Sequence, residues 1–129
     1  MSTKGKPAIM VSRDDHEELI DLALKGLGRA PGAALLLQEM QRAKVVPAEA
    51  LPAHVLAMND HVAFVYDGAT YRDYQLVYPT SANFDDGRIS VLTPVGAALI
   101  GLAENDEMAW SDGRGSEHRL KLTEVRRAH

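Results

Sequence analysis

The 129-residue sequence predicts an α+β protein, with a short antiparallel helical hairpin followed by a mostly antiparallel sheet and one packing helix. Three observations predict it. Two apolar-striped runs, about 12–27 and 33–44, flank the glycine-rich "GLGRAPG". From Val62 onward β-branched and aromatic residues dominate, punctuated by turn signals. Between the strands, "SVLTPVGAALIGL" changes from two-residue alternation to a helical stripe.

The elements follow in order. "PAIMVS", residues 7–12, is short and β-prone, and Ser12 opens a helix signature. Ser12-Arg13-Asp14-Asp15 has capping-box spacing, with a hydroxyl able to accept a first-turn N–H. Leu19, Ile20, Ala23, Leu24 and Leu27 then recur at three- and four-residue intervals. Three glycines and Pro31 make "GLGRAPG" a turn. A second helix, about Ala33 to Lys44, presents Leu36, Leu37, Met40 and Ala43 on one side. The two read as a helical hairpin with arms of about 20 Å.

"VVPAEALPAHV" carries two prolines and reads as a linker with room for one helical turn. "HVAFVYDGATYRDYQLVYP" is two strands around Asp67-Gly68, the strongest short hairpin signal. "ISVL" is a third strand, and "DEMAW" and "EHRLKLTEV" pair around "SDGRG". Leu120 and Leu122 alternate, but Val125 is out of phase, which predicts a bulge or the strand end. Thr93 is placed to cap a helix whose first residue is Pro94, where the missing N–H costs nothing. Val95, Ala98, Leu99 and Leu102 form the stripe that packs on a sheet, and Gly96 and Gly101 permit close backbone approach. The boundary expected between the parts is 1–47 for strand and hairpin and 48–129 for the globular region.

Composition bounds the function. Hydrophobic residues make up 46% and charged residues 25%, ordinary for a globular domain, and aromatics only 5%. With no cysteine, disulfides, thiolate metal sites and a cysteine nucleophile are excluded. No apolar run reaches membrane-spanning length and the N-terminal "MSTKGKPAIMV" does not read as a secretory leader, so a cytoplasmic, bacterial-type protein is expected. Net charge is −4: residues 1–46 hold seven Lys/Arg against six Asp/Glu, and residues 47–129 seven against twelve. Neither part has the basic excess that phosphate neutralisation demands, so a protein partner is expected rather than nucleic acid.

"GRISVLTPVGAALIGL" resembles the signature of the C-terminal domain of the bacterial Gre transcript-cleavage factors. With "VVPAEALPAHVLAMNDHVAF" and "LVYP" it is similar to the Rnk branch of that Gre-like family, named for regulation of nucleoside diphosphate kinase. The likeness runs from "PAIMVS" to "LKLTEV". It implies an FKBP-like C-terminal domain that docks on RNA polymerase near its secondary channel, with the hairpin pointing into the channel. In the cleavage factors, acidic residues at the hairpin tip help hold a catalytic Mg²⁺, a hard ion that requires carboxylate oxygens. Here the tip, Lys25 to Ala33, has no Asp or Glu, and the arms are much shorter. Both departures imply a non-catalytic polymerase binder that competes with Gre factors, with no cofactor or metal of its own. Thr93, Pro94, Val95 and Gly96 are the expected docking residues, with Arg29 contributing electrostatically from the tip.

Other chemistry is weaker. Asp14, Asp15, Glu17 and Glu18 begin the first helix, away from the tip, where the helix dipole and solvation account for them. Glu39 lies well down the second arm. The histidines, His16, His54, His61, His118 and His129, have no metal-binding spacing. Asp60-His61 reads as an exposed turn, and Ser81 and Ser90 lack a nucleophile elbow. "GLGRAPG" follows a helix and is no phosphate loop. The implied fold raises peptidyl-prolyl isomerase activity, which needs an aromatic-lined pocket. No aromatic lies between Phe84 and Trp110, and Phe64, Tyr74, Tyr78 and Trp110 read as core or sheet-face residues, so an enzyme is not expected. An adaptor acting on nucleoside diphosphate kinase is the alternative reading. The apolar hairpin leaves monomer and weak dimer both open.

Overall fold

The computed structural model describes residues 6–111 and 114–128. Residues 1–5, His129, and Asp112 and Gly113 of the "SDGRG" turn lie outside them. Strand β1 (Met10–Ser12) leads into helix α1 (Arg13–Gly26). The Ser12 hydroxyl accepts the Asp15 N–H at 3.2 Å, as its spacing predicts. The reciprocal half of the capping box is not made, because the Asp15 carboxylate accepts the Met58 N–H instead, at 3.4 Å. Helix α2 (Ala33–Arg42) stops short of Lys44. Ala43 is already extended, and Lys44–Val46 form strand β2, paired parallel to β1. This pairing was hidden in the sequence because three residues show no period, and proline follows at once. The linker supplies its single helical turn as 3₁₀ at Ala48–Ala50.

The main sheet has five strands in the order β5-β4-β3-β7-β6. They are β3 (His61–Tyr66), β4 (Ala69–Val77), β5 (Arg88–Ser90), β6 (Glu107–Ser111) and β7 (Glu117–Arg126). The sheet is mixed: β5 runs parallel to β4, while the other pairings of a sheet expected to be mostly antiparallel are antiparallel. Residues 78–87 wind through two 3₁₀ turns, and that length returns the chain to the start of β4's C-terminal half rather than reversing it. The out-of-phase Val125 is a bulge, not the strand end. Ala63 faces Glu124 and Phe64 faces Leu122, so Thr123 is the additional residue and Val125 returns to the buried face. A second bulge in β4, with Asp73 at φ 60°, brings both Tyr71 and Tyr74 toward Phe64.

Helix α3 (Pro94–Leu99) is shorter than its apolar stripe. It ends before Gly101, whose φ of 86° belongs to the left-handed region, and Ile9 packs where a side chain would stand. Ala97, Ala98, Leu99, Ile100 and Leu102 are all buried. They share one core cluster with Leu19, Ala23, Leu36 and Met40 of the hairpin, and with Phe64, Leu76, Ile89, Met108, Leu120 and Leu122 of the sheet. The hairpin is therefore packed into the body along its length. Leu24 and Leu27 are its large apolar residues left exposed.

Asp60 corrects a further expectation. It is not in an exposed turn but buried, accepting the Ala57 and Ala128 N–H groups at 2.9 and 3.0 Å and pairing with Arg127 at 2.6 Å. A buried carboxylate is tolerable only when so satisfied.

Gly96 admits no side chain, since a Cβ there would collide with the Ser90 carbonyl oxygen and backbone. Replacing it with Ala should destabilise the fold by about 2 kcal/mol or more through overpacking. Thermal unfolding would read this as a midpoint lowered by about 5–15 °C. An unchanged midpoint would show that the turn and helix separate easily.

Candidate functional site

The turn from Ser90 to Gly96 is closed by its own polar groups. The Thr93 hydroxyl donates to the Ser90 carbonyl at 2.7 Å and accepts the Gly96 N–H at 3.1 Å. The Ser90 hydroxyl accepts the Leu92 N–H at 3.0 Å, and the Thr93 N–H bonds the Ser90 carbonyl at 3.1 Å. Pro94 occupies the first helical turn, Val95 is half-buried, and Gly96 is buried against Ser90. Thr93 thus fixes the start of α3 and the angle at which strand meets helix.

The hairpin tip rests on this turn. Gly32 donates its N–H to the Leu92 carbonyl at 2.7 Å, and a Cβ at Gly32 would strike the Thr93 carbonyl. Gly26, at the end of α1, faces the Ala33 and Leu92 side chains, where a Cβ would stand 3.2 and 3.5 Å away, less tightly than at Gly32. Arg29, exposed in the intervening turn, therefore belongs to a segment anchored directly on the Leu92–Thr93 backbone. Sequence reasoning found the glycines as a turn but not as a contact, since nothing local to "GLGRAPG" names its neighbour.

Beside the same turn opens a cavity of about 360 Å³. Phe64, Tyr66, Tyr71, Phe84, Ile89 and Val95 form its apolar lining. Phe64 and Tyr71 stack with centroids 5.0 Å apart, and Phe84 meets Tyr74 at 5.3 Å. Tyr66 in turn stacks on Trp110 at 6.1 Å. Scarce aromatics did not prevent an aromatic pocket, because the fold gathers four of them. A signal existed: across the Asp67-Gly68 hairpin, Phe64 pairs directly with Tyr71. Phe84 comes from a loop that no local pattern ties to that sheet.

Residues 51–127 match the family described as "Transcription elongation factor, GreA/GreB, C-term". The chain belongs to this GreA/GreB family. It is 35% identical over 125 residues to the "Regulator of nucleoside diphosphate kinase" of Escherichia coli K12, covering 94% of this chain and 90% of that one. The protein of the same name from Shigella flexneri matches with the same figures. A solved structure, "Prokaryotic transcription elongation factor GreA/GreB from Nitrosomonas europaea", superposes with a TM-score of 0.70 at 37% identity, over 94% of this chain and 99% of that chain. The Gre-like relationship and the likeness to the nucleoside diphosphate kinase regulators are thus both shown, and the architecture is that of a GreA/GreB protein.

In this Gre-family chain the carboxylates gather away from the tip. Asp15 and Glu18 do more than solvate the start of α1. Asp15 accepts from Met58, and the Tyr78 hydroxyl donates to Glu18 at 3.0 Å, tying the helix to the end of β4. Burial pushes the Asp15 carboxyl above its ordinary range, partly offset by the Met58 N–H, with Glu18, Asp14 and Asp60 adding repulsion. Burial also raises the Tyr78 phenol, with Asp15 and Glu18 acting in the same direction. Glu39 is buried and held by Arg42, which also donates to the Pro7 carbonyl at 2.6 Å. Among the described residues no group of three or more His, Asp or Glu side chains is arranged to hold a metal ion. No helix among them is long and apolar enough to cross a membrane.

A carboxyl whose folded pKa is raised destabilises the fold while charged, and the penalty is relieved as pH falls through that pKa toward 3.8. Asp15→Asn keeps an acceptor for Met58 and removes the charge. It should be more stable than the wild type at pH 7, with the difference shrinking toward pH 4. Urea unfolding at both values measures this, and a variant less stable at pH 7 would mean the charged carboxylate holds the helix.

Proposed function

We propose that this protein is a non-catalytic regulator of transcription that binds RNA polymerase near the secondary channel and competes with Gre factors there. The observation that carries this reading is the hairpin tip. Lys25 to Ala33 contains no carboxylate, and Asp15, Glu18 and Glu39 are engaged elsewhere. Holding Mg²⁺ for transcript cleavage requires free carboxylate oxygens at the tip, so binding without cleavage follows. In this reading the globular region, residues 48–129, is FKBP-like and supplies affinity, residues 1–47 supply the hairpin, and the protein works in the cytoplasm.

Thr93, Pro94, Val95 and Gly96 shape the docking surface, and Arg29 adds a cation beside it. The support is their placement: the turn bearing Arg29 is anchored on Leu92 and Thr93, so one partner can meet both. A second reading rests on the name of the curated relatives, under which the same surface engages nucleoside diphosphate kinase directly.

The test is binding of the purified protein to core RNA polymerase, with a Gre factor as competitor and transcript cleavage read in the same reaction. Binding, displacement of the Gre factor and no cleavage are expected. Val95→Glu should weaken binding by about tenfold or more, since it places a charge in a desolvated contact. Arg29→Glu should weaken it by about two- to fivefold, the scale of an exposed charge. Cleavage would overturn the non-catalytic reading, and binding only to the kinase would favour the second.

A further inference from the structure

We propose that the outer edge of β6 pairs antiparallel with the same edge of a second copy of this chain, with Glu107 of each copy opposite Ala109 of the other. β6 ends the five-stranded sheet and is paired with β7 alone. The phase of that ladder is fixed at two points. The Leu122 N–H donates to the Asp106 carbonyl at 3.0 Å on the β6 side, and the Arg119 carbonyl accepts the Asp67 N–H at 2.9 Å on the β3 side. Bonds toward β6 therefore come from Leu120 and Leu122, which stand opposite Met108 and Asp106. The backbone N–H and C=O groups of Glu107 and Ala109 point the other way, and no backbone bond among the described residues reaches them there. The opposite edge of the sheet is closed, because Arg88 of β5 exchanges both of its backbone bonds with Asn83. In the small sheet, β2 offers only three residues before Pro47. β6 lacks the usual edge protection, with no proline, lysine or bulge between Glu107 and Ser111.

Charge selects a second copy as the occupant, and it selects the register. Ala109 stands opposite Arg119 in the β6–β7 ladder, beside a hollow of about 430 Å³ bordered by Val65, Gly68, Arg119 and Lys121. Arg119 and Lys121 are exposed there and form no ion pair among the described residues. An added strand with a carboxylate opposite Ala109 reaches Arg119 over that small side chain. β6 carries such a carboxylate itself: Glu107 is exposed, on the same sheet face as Ala109 and in the same bonding phase. Two-fold symmetry makes the contact twice, with four backbone hydrogen bonds between the strands. A register two residues away sets Ala109 opposite itself and Glu107 opposite Ser111, so Arg119 gains no acid. A one-residue shift takes the bonding groups out of phase. Asn105, left-handed at φ 75°, turns the chain away from the edge and confines the pairing to β6. So short a contact makes a reversible dimer with a Kd of about 0.1 mM. The Ser90–Gly96 turn follows β5 at the far edge of the sheet, so this pairing does not involve it.

Sedimentation equilibrium of the full-length protein, from micromolar to millimolar concentration and without polymerase, reads the pairing directly. A monomer–dimer equilibrium near the stated Kd is expected. Glu107→Lys sets a cation against Arg119 at both contacts and should weaken association by about tenfold, as should Arg119→Glu. The double variant Glu107→Lys with Arg119→Glu exchanges the charges and should recover association to within about threefold of the wild type. Ala109→Pro removes an outward N–H that β7 does not use, so it should abolish the dimer and keep the ladder. Glu107 is exposed and forms no ion pair among the described residues, so its substitution keeps the test decisive if the proline variant does not fold. A monomer at millimolar concentration would overturn the proposal. A dimer indifferent to Glu107→Lys would place the contact elsewhere, as at the exposed Leu24 and Leu27, and overturn it equally. A double variant that stays weak would overturn the register. Polymerase is absent from every arm, so failure here leaves the polymerase reading standing, and failure to bind polymerase leaves this pairing standing.

Discussion

The fit of two glycines against one short turn governs the arrangement of this protein. Gly96 brings the start of α3 onto the Ser90 carbonyl, and Gly32 brings the start of α2 onto the Leu92 and Thr93 backbone. Between them the Ser90–Gly96 segment is held from both sides, with its own hydroxyls closing the gaps. Because both contacts are to backbone, neither neighbour can rotate out of the way as a side chain would. The hairpin, the covering helix and the edge strand are therefore positioned by one seven-residue turn.

That constraint changes what a Gre-type hairpin does here. A long coiled coil can project as a lever, but arms of 14 and 10 residues that bury Leu19, Ala23, Leu36 and Met40 in the common core cannot. Lifting such a hairpin would expose those residues, at about 1.5–3 kcal/mol for each large side chain. At its base, Asp15 to Met58, Glu18 to Tyr78 and Arg42 to Pro7 add polar ties at the far end from the tip. The hairpin and globular region are packed as one body, with the turn bearing Arg29 seated against the Leu92–Thr93 backbone beside Val95.

The sheet shows a division between a packed and a wet face. Val62, Phe64, Leu120, Leu122 and Val125 face inward, while Thr123 and Glu124 stay outside. Both bulges preserve that alternation where a regular ladder would break it, one by returning Val125 to the core and the other by letting Tyr71 and Tyr74 serve the same ring cluster. Phe64 and Tyr71 pair in the hairpin register itself, and the β4 bulge adds Tyr74 to the same ring cluster.

The amino-acid sequence by itself determined the local elements: the Ser12 and Thr93 caps, the helical stripes, the Asp67-Gly68 hairpin and the phase error at Val125. Each rests on residues within about one or two turns of each other, where side-chain period and backbone preference act directly. The same local information supplied the missing carboxylates of the tip and the motif that marks the family. Only the tertiary structure decided the contacts between distant segments. It paired β1 with β2, turned β5 parallel to β4, buried Asp60 under Arg127 and brought Phe84 to Phe64 and Tyr71. It also seated Gly32 on Thr93. Such contacts depend on steric fit and desolvation between surfaces far apart in the chain, and a one-dimensional pattern carries no record of which surface meets which.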